Sequence, residues 1–376
     1  MAGEASADRY GARLVRRLRA RRGKGTIYFY GTGGDEMRAA GVDLVAHVRD
    51  LAHIGPREAV AHFRRYLATF RRLVRSSVEH PPELAILLDF PEFNLRLAKK
   101  MKRAGIKVIY YISPQLWAWR RGRIRTVRNY VDKMLVILPF EEAFYREHGI
   151  EVEFVGHPLL EDFSPRYDRV AFLRGMGLEP EVKTIAILPG SRRKEIDYIL
   201  PTLLRAAQLI LRSCPAQFLI SVAPTVDEDQ LRRVAGGILQ GNPNAGCFRM
   251  AKAASRDVLA NSDFAFVKSG TSTLEAALVG KPFVIIYKIS PISWWFGNLL
   301  VHSSLKGLVN LIAKEEIVPE YLQQDANPDA LAKVALEFLR EPKRAEAMKT
   351  RLADIREMLS VRCASDSVAA AVETYL

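Results

Sequence analysis

The chain's 376 residues are enough for two domains of ordinary size, and a hydrophobic fraction of 49% suits a globular protein whose longest apolar runs, Met134–Phe140 and Phe283–Tyr287, are too short to span a bilayer. No charged, apolar and small-residue series of a signal peptide opens the sequence, and Cys214, Cys247 and Cys363 have neither disulfide nor metal spacing, so the expected compartment is the cytoplasm. A formal charge of +14 favours anionic partners; its arginines crowd into Arg13–Arg22, Arg64–Arg75 and Arg120–Arg128, and without a surrounding DNA- or RNA-binding motif nucleic acid is not expected.

The chain opens "MAGEASADRYGARLV": a small, polar Gly3–Asp8 stretch enters a helix with apolar Ala12, Leu14, Val15 and Leu18. Such a loop normally follows a buried strand in a nucleotide-binding unit, and here none precedes it. Strands are predicted at Thr26–Tyr30, Leu84–Leu88, Val108–Ile112, Lys133–Leu138 and Glu151–Val155, five forming one sheet. Between the first two, His62–Arg75 sets Phe63, Tyr66, Leu67, Phe70, Leu73 and Val74 on one helical face, bordered by Arg64, Arg65, Arg71, Arg72 and Arg75. This pattern suits a basic interfacial helix and a core-packed helix equally. A polar, proline-bearing passage follows, with a boundary near Pro158–Tyr167. Strands then restart at Thr184–Leu188, Gln217–Val222, Phe264–Val267 and Phe283–Tyr287 as a second sheet, and a helical tail runs from Pro328. The expected class is α/β, two doubly wound parallel domains facing a cleft, with ligands outside the carboxyl ends of strands.

Four strand-end loops carry chemistry. "LAILLDFPEFN" puts Asp89 directly after an apolar strand, where desolvation suits a general base and a plain turn or N-cap explains it as well. "YYISPQLWAWRRGR" offers Ser113, Gln115, Trp117, Trp119 and Arg120, aromatic and cationic groups that suit a sugar phosphate bearing apolar chains, or in the case of the tryptophans a core. "LPGSRRKEI" turns through Gly190 into a helix at Ser191 and Arg192. Free N–H groups, the helix dipole and a guanidinium there suit a diphosphate, although a serine-capped helix has the same residues. "VKSGTSTLEAAL" adds a turn of Ser269, Gly270, Thr271 and Ser272, with Glu275 a turn further in, placed to accept from a ribose diol or to favour the helix dipole.

In chain order, "AGEASAD", "DFPEFN", "YYISPQLWAWR", "ILPFEEAFY", "FVGHPL", "LPGSRRKEI" and "KSGTSTLE" resemble the lipid-A-disaccharide synthase family of outer-membrane lipid A assembly, from Ala2 to beyond Asn310. The resemblance implies a GT-B fold of two Rossmann-like domains: residues 1–160 bind the acceptor, residues 161–350 bind the UDP-sugar, and residues 351–376 form a tail that packs back on the first. It implies metal-independent, inverting transfer without a cofactor from UDP-2,3-diacylglucosamine to 2,3-diacylglucosamine 1-phosphate, giving a β-1,6-linked disaccharide 1-phosphate and UDP. The enzyme is then expected at an anionic membrane surface, the inner face of a Gram-negative inner membrane. Carried over residue by residue, Asp89 is the base and Gly3, Glu4, Ser6, Asp8, Asn94, Ser113, Gln115, Trp117 and Arg120 serve the acceptor. Gly190, Ser191, Arg192, Ser269, Gly270, Thr271, Ser272, Glu275 and Asn310 serve the nucleotide.

The family's loop at Gly3–Asp8 follows a first strand that is expected to be missing here, through a late start site or a truncation. "LAHIGPREAV" at Leu51–Val60 is more polar than the family's apolar segment, and Val309 stands where a proline usually precedes the nucleotide-contacting asparagine. The alternatives are a related UDP-GlcNAc transferase or epimerase, sharing the nucleotide loops without "DFPEFN" and "SPQLWAWR", and a non-catalytic lipid or nucleotide-sugar binding homologue.

Overall fold

Apolar, β-branched runs bounded by glycine, proline or polar turns become parallel strands in both halves of the chain. The computed structural model describes residues 1–23, 27–51, 59–118, 121–288 and 305–376. They form two units, Met1–Asp162 with Leu359–Leu376, and Phe163–Met358.

In the C-terminal unit β7 (Thr184–Leu188), β8 (Gln217–Ser221), β9 (Phe248–Ala251), β10 (Phe264–Lys268), β11 (Phe283–Tyr287) and β12 (Glu320–Leu322) pair in the order β12-β11-β10-β7-β8-β9. Taking β7 as the first strand, this is the 3-2-1-4-5-6 order of a dinucleotide-binding sheet, whose direction of winding switches between β7 and β10. Every residue of β7 and β8 is buried, as helices on both faces require. The edge strands β9 and β12 escape a reading by pattern: "FRMA" and "EYL" are too short to show alternation.

The N-terminal unit differs from the five-stranded sheet expected. β3 (Leu84–Leu88), β4 (Lys107–Tyr111), β5 (Lys133–Val136) and β6 (Val152–Phe154) make a four-stranded parallel sheet, while β1 (Tyr30–Gly33) pairs only with β2 (Asp43–His47). The strand expected at Thr26–Tyr30 thus begins at Tyr30: Ile27 and Phe29 pack against the core ahead of it, and pairing starts where β2 comes alongside. Thr26 lies outside the described residues.

Two residues bridge β1 and β3. The Met1 amino group donates to Ile86 O at 2.8 Å, Leu88 N–H donates to Met1 O at 2.9 Å, and Ala2 N–H donates to Thr32 O at 2.9 Å. The rest of the gap is an apolar cavity of about 140 Å³ bounded by Leu14, Phe29, Met37, Leu84 and Ile86. Counted as in the C-terminal unit, the strands read 3-2-gap-4-5-6-7, so the gap holds the first position of the winding order.

Helix Ala5–Arg22 buries Leu14 and Leu18 in a core that also takes Val368 and Val372 of helix Ala364–Glu373, and Arg21 bonds Glu373 at 3.0 Å. Helix Pro342–Ser360 runs unbroken through residue 351, so the segment belonging to the N-terminal unit begins at Leu359. In helix Ala59–Glu79 the apolar face is used by the fold: Tyr66 and Phe70 meet the Phe93 ring edge-on at 4.9 and 5.4 Å, and Leu73 is buried. Of the two uses its spacing allows, the described part serves the core-packed one, with Arg64, Arg65, Arg71, Arg72 and Arg75 exposed; the Phe63 side chain lies outside the described residues. No helix among the described residues is long and apolar enough to cross a membrane.

Candidate active site

β3 ends at Leu88, and the chain turns through Asp89 and Phe90, both at φ 47° in the left-handed region, before Pro91 starts helix Pro91–Arg103. Side-chained residues adopt this region at a cost of about 1–2 kcal/mol each. Three bonds hold the turn: Asp89 N–H donates to Tyr111 O at 3.0 Å, and Asp89 O accepts from Tyr110 Oη at 2.6 Å and Asn94 Nδ2 at 2.7 Å. Burial, then the negative charge of Glu4, pushes the Asp89 carboxyl up to about 6, against the opposing Phe90 N–H. Glycine at position 3 is a matter of space, because a Cβ there would overlap the Phe90 ring. It lets the loop carrying Glu4 lie against the Asp89 turn. This juxtaposition sits beside the gap, where the winding switches.

The neighbouring strand β4 ends in the same manner. Ile112 has φ 64°, unusual for a β-branched residue. Next to it Ser113 is buried, and its Oγ donates to Glu141 Oε1 at 2.7 Å. Trp117 Nε1 donates to the same oxygen at 3.1 Å, its ring edge-on to Phe140 at 5.0 Å, and Leu138 N–H donates to Glu141 Oε2 at 3.2 Å. Burial pushes Glu141 up to about 7 against those three donors. Gln115 is exposed. Trp119 and Arg120 lie outside the described residues. Glu141 escaped sequence reading: "LPFE" signals a proline-led, Glu-capped helix start, but nothing local reveals that Ser113 and Trp117 fold onto that carboxylate.

Several residues expected to touch ligand do other work. Asp8 is buried, accepting from Gly34 N–H at 2.6 Å, Met37 N–H at 3.0 Å and Glu36 N–H at 3.1 Å, and so caps helix Asp35–Ala39. Asn94 is fully buried, both its N–H bonds going to the carbonyls of Leu88 and Asp89. Asn310 is fully buried too: it donates to Val318 O and Glu320 Oε1 at 2.7 Å, and accepts from Ile317 and Val318 N–H at 3.0 Å. Its amide has no donor or acceptor left for a nucleotide. Ser6 is exposed in the first turn of its helix.

In the C-terminal unit the expected loops follow β7 and β10, the two strands at the switch of winding. Gly190 has φ 117°, and a Cβ there would collide with the Glu195 carboxylate. Glu195 Oε2 accepts from Ser191 N–H at 2.9 Å and Arg192 N–H at 3.3 Å. The helix N-terminus expected to hold a diphosphate therefore already holds a carboxylate. Lys268 at the end of β10 reaches Glu195 Oε1 at 2.8 Å, tying the loops together; burial resists ionisation of Glu195, but Lys268 and the two loop residues outweigh it and hold the carboxyl below its usual range. The Arg192 side chain is 82% exposed, 3.7 Å from Glu195, and open to a ligand. Gly270 opens helix Thr271–Val279 with Thr271 exposed and Ser272 half-buried, and Ser269 N–H donates to Ile286 O at 2.8 Å. Glu275 accepts from Ser255 Oγ; burial raises its carboxyl, with Ser255 and Arg256 opposing. Among the described residues no group of three or more His, Cys, Asp or Glu side chains is placed to hold a metal.

The solved structures most like this one include a putative UDP-N-acetylglucosamine 2-epimerase from Listeria monocytogenes (TM-score 0.67, 11% identity, covering 99% of this chain and 93% of that one) and the calicheamicin glycosyltransferase CalG4 (TM-score 0.59, 14% identity, 97% and 94%). At such identities they establish the fold, the two-unit α/β architecture of GT-B proteins. In sequence, the lipid-A-disaccharide synthase of Syntrophus aciditrophicus is 42% identical over 100% of this chain and 97% of its own length, and that of Koribacter versatilis 43% identical over 98% and 94%. The family model described as lipid-A-disaccharide synthetase matches residues 1–372. With parallel sheets, strand-end loops at both switches of winding and relatives across its whole length, the chain belongs to the lipid-A-disaccharide synthetase family of glycosyltransferases.

Proposed function

We propose that this protein joins two acylated glucosamines by inverting transfer, with UDP-2,3-diacylglucosamine as donor and 2,3-diacylglucosamine 1-phosphate as acceptor. Asp89 removes the proton from the acceptor's 6-hydroxyl as that oxygen attacks C1 of the donor sugar. The C1–O bond to the diphosphate breaks with its electron pair, leaving UDP and a β-1,6-linked disaccharide 1-phosphate. The strained Asp89 turn carries the proposal: a carboxyl titrating at about 6 is largely ionised at neutral pH yet basic enough to share a hydroxyl proton in the transition state.

The other roles follow from charge and exposure. Arg192 and the Ser269–Ser272 turn neutralise the departing diphosphate without a metal ion, and Glu275 receives the ribose. Glu4 keeps Asp89 from ionising too readily, and Gln115, Trp117 and Arg120 serve the acceptor. The exposed arginines of helix Ala59–Glu79 favour an anionic membrane surface. Purified protein given both acylated sugars should release UDP and form the disaccharide, while Asp89→Asn should bind UDP and form almost none. Release of UDP with no disaccharide would turn the assignment toward an epimerase or hydrolase.

A further inference from the structure

We infer that Tyr110 and Asn94 are positioning residues for Asp89: their side chains converge on its main-chain oxygen and hold the left-handed turn that presents its carboxyl. The inference rests on Asp89 being the base, as proposed above.

Left to itself, the peptide between two successive side-chained residues at φ 47° would rotate to take Phe90 out of the left-handed region, and the Asp89 Cα with its carboxyl would resettle. The two donors make that rotation unfavourable. Tyr110, on the adjacent strand β4, and Asn94, one turn into the following helix, are both fully buried, so moving the Asp89 carbonyl would strand two buried donors. Asn94 spans the hinge, one N–H going to Leu88 O at 3.1 Å, the last residue of β3, and the other to Asp89 O. Its own Oδ1 is buried without a hydrogen-bond partner. An asparagine kept there with an unpaired acceptor is kept for its two donors. Strand, turn and helix are thus pinned at one oxygen, two bonds from the Cα that carries the carboxyl.

Tyr110→Phe keeps the ring and removes only the hydroxyl. The expected result is a fall in kcat of about tenfold, with the acceptor KM and the UDP affinity within twofold of wild type. The acid limb of kcat/KM should also shift, since the carboxyl moves relative to the Glu4 carboxylate ahead of the first helix and loses the neutral Tyr110 hydroxyl on β4, which lies in the fields of Tyr145 and Arg123. Asn94→Ala should act in the same direction, and the double variant should approach Asp89→Asn. A crystal structure of Tyr110→Phe should show the Asp89 carbonyl turned from its present direction and φ of Phe90 leaving the left-handed region. Should Tyr110→Phe fail to fold, Asn94→Ser, which retains one donor, is measured for the same kcat and pH changes. Wild-type kcat and pH profile in these variants, beside an inactive Asp89→Asn, would overturn the inference and leave the base in place. Near-normal turnover in Asp89→Asn would remove the base, and the inference with it.

Discussion

Both units put their candidate loops where the winding of a parallel sheet switches, but they prepare those loops in opposite ways. In the C-terminal unit the sheet is continuous, tight turns fall on Gly190 and Gly270, and Glu195, between the two loops, is held ionised by Lys268, while burial raises Glu275 in the helix of the second loop. In the N-terminal unit the sheet has a gap at the switch, the turns fall on Asp89, Phe90 and Ile112, and two carboxyls, Asp89 and Glu141, are pushed up by burial. The C-terminal loops keep fixed charges in place. The N-terminal ones store strain around groups that gain and lose protons, and that division fits the donor side and base side proposed above.

The largest effect should come from Asp89→Asn. Asparagine tolerates the left-handed region and retains most hydrogen bonds, so the fold and UDP affinity should be unchanged while disaccharide formation falls by about 10²–10⁴. Little change in turnover would make the strained turn structural and direct the search for a base to Glu4 and Glu92, since Asp8 is spent on its helix cap.

Asp89 and Glu141 on one side and Glu195 on the other should also respond oppositely to acid. Glu141 has a folded value of about 7, above its usual 4.5, so its contribution to stability is full below about 4.5 and is lost as pH rises through 7. Asp89 behaves alike between about 3.8 and 6. The lowered Glu195 works the other way, contributing above its usual range and losing that contribution as acid protonates it. Comparing each variant with wild type cancels the shared terms. Glu141→Gln should abolish a loss on the order of 1–3 kcal/mol between pH 4.5 and 7, and with it a Trp117 fluorescence titration centred near 7. Parallel stability–pH curves for wild type and variant would show that Glu141 does not titrate in that range.

Much of this was legible in the chain and some could not be. Leu84–Leu88, Thr184–Leu188 and Phe283–Tyr287 read to the residue because apolar runs end sharply at turn residues. Asp43–His47 did not, since a half-exposed strand with polar ends has no such contrast. Asp89 was visible as a carboxylate at a strand end, but its strain depends on Tyr110 and Asn94, which only the folded sheet brings to one oxygen. Asp8 and Asn310 show the converse: residue types that suit a ligand equally suit a helix cap or a loop clamp, and partner geometry decides between them.

The smallest effect should sharpen the donor side. Arg192 is exposed and adds only a 3.7 Å contact with Glu195, which keeps its backbone donors and Lys268 when the guanidinium is removed. Arg192→Ala should therefore leave the melting temperature unchanged. In the donor role proposed above, the substitution would remove a charge-assisted bond to the diphosphate, so UDP affinity should fall about tenfold, and the loss should shrink at high salt because an exposed charge is screened. Glu275→Gln should weaken UDP only a few-fold: Ser255 already uses one of its acceptor sites, and the amide oxygen can still receive a ribose hydroxyl. The ranking matters more than either value. If Lys268, not Arg192, is the cation that meets the diphosphate, Arg192→Ala binds UDP normally while Lys268→Ala does not, and Glu195 is then the group displaced when the nucleotide enters. Unchanged affinity in all three variants would take the nucleotide away from these loops altogether.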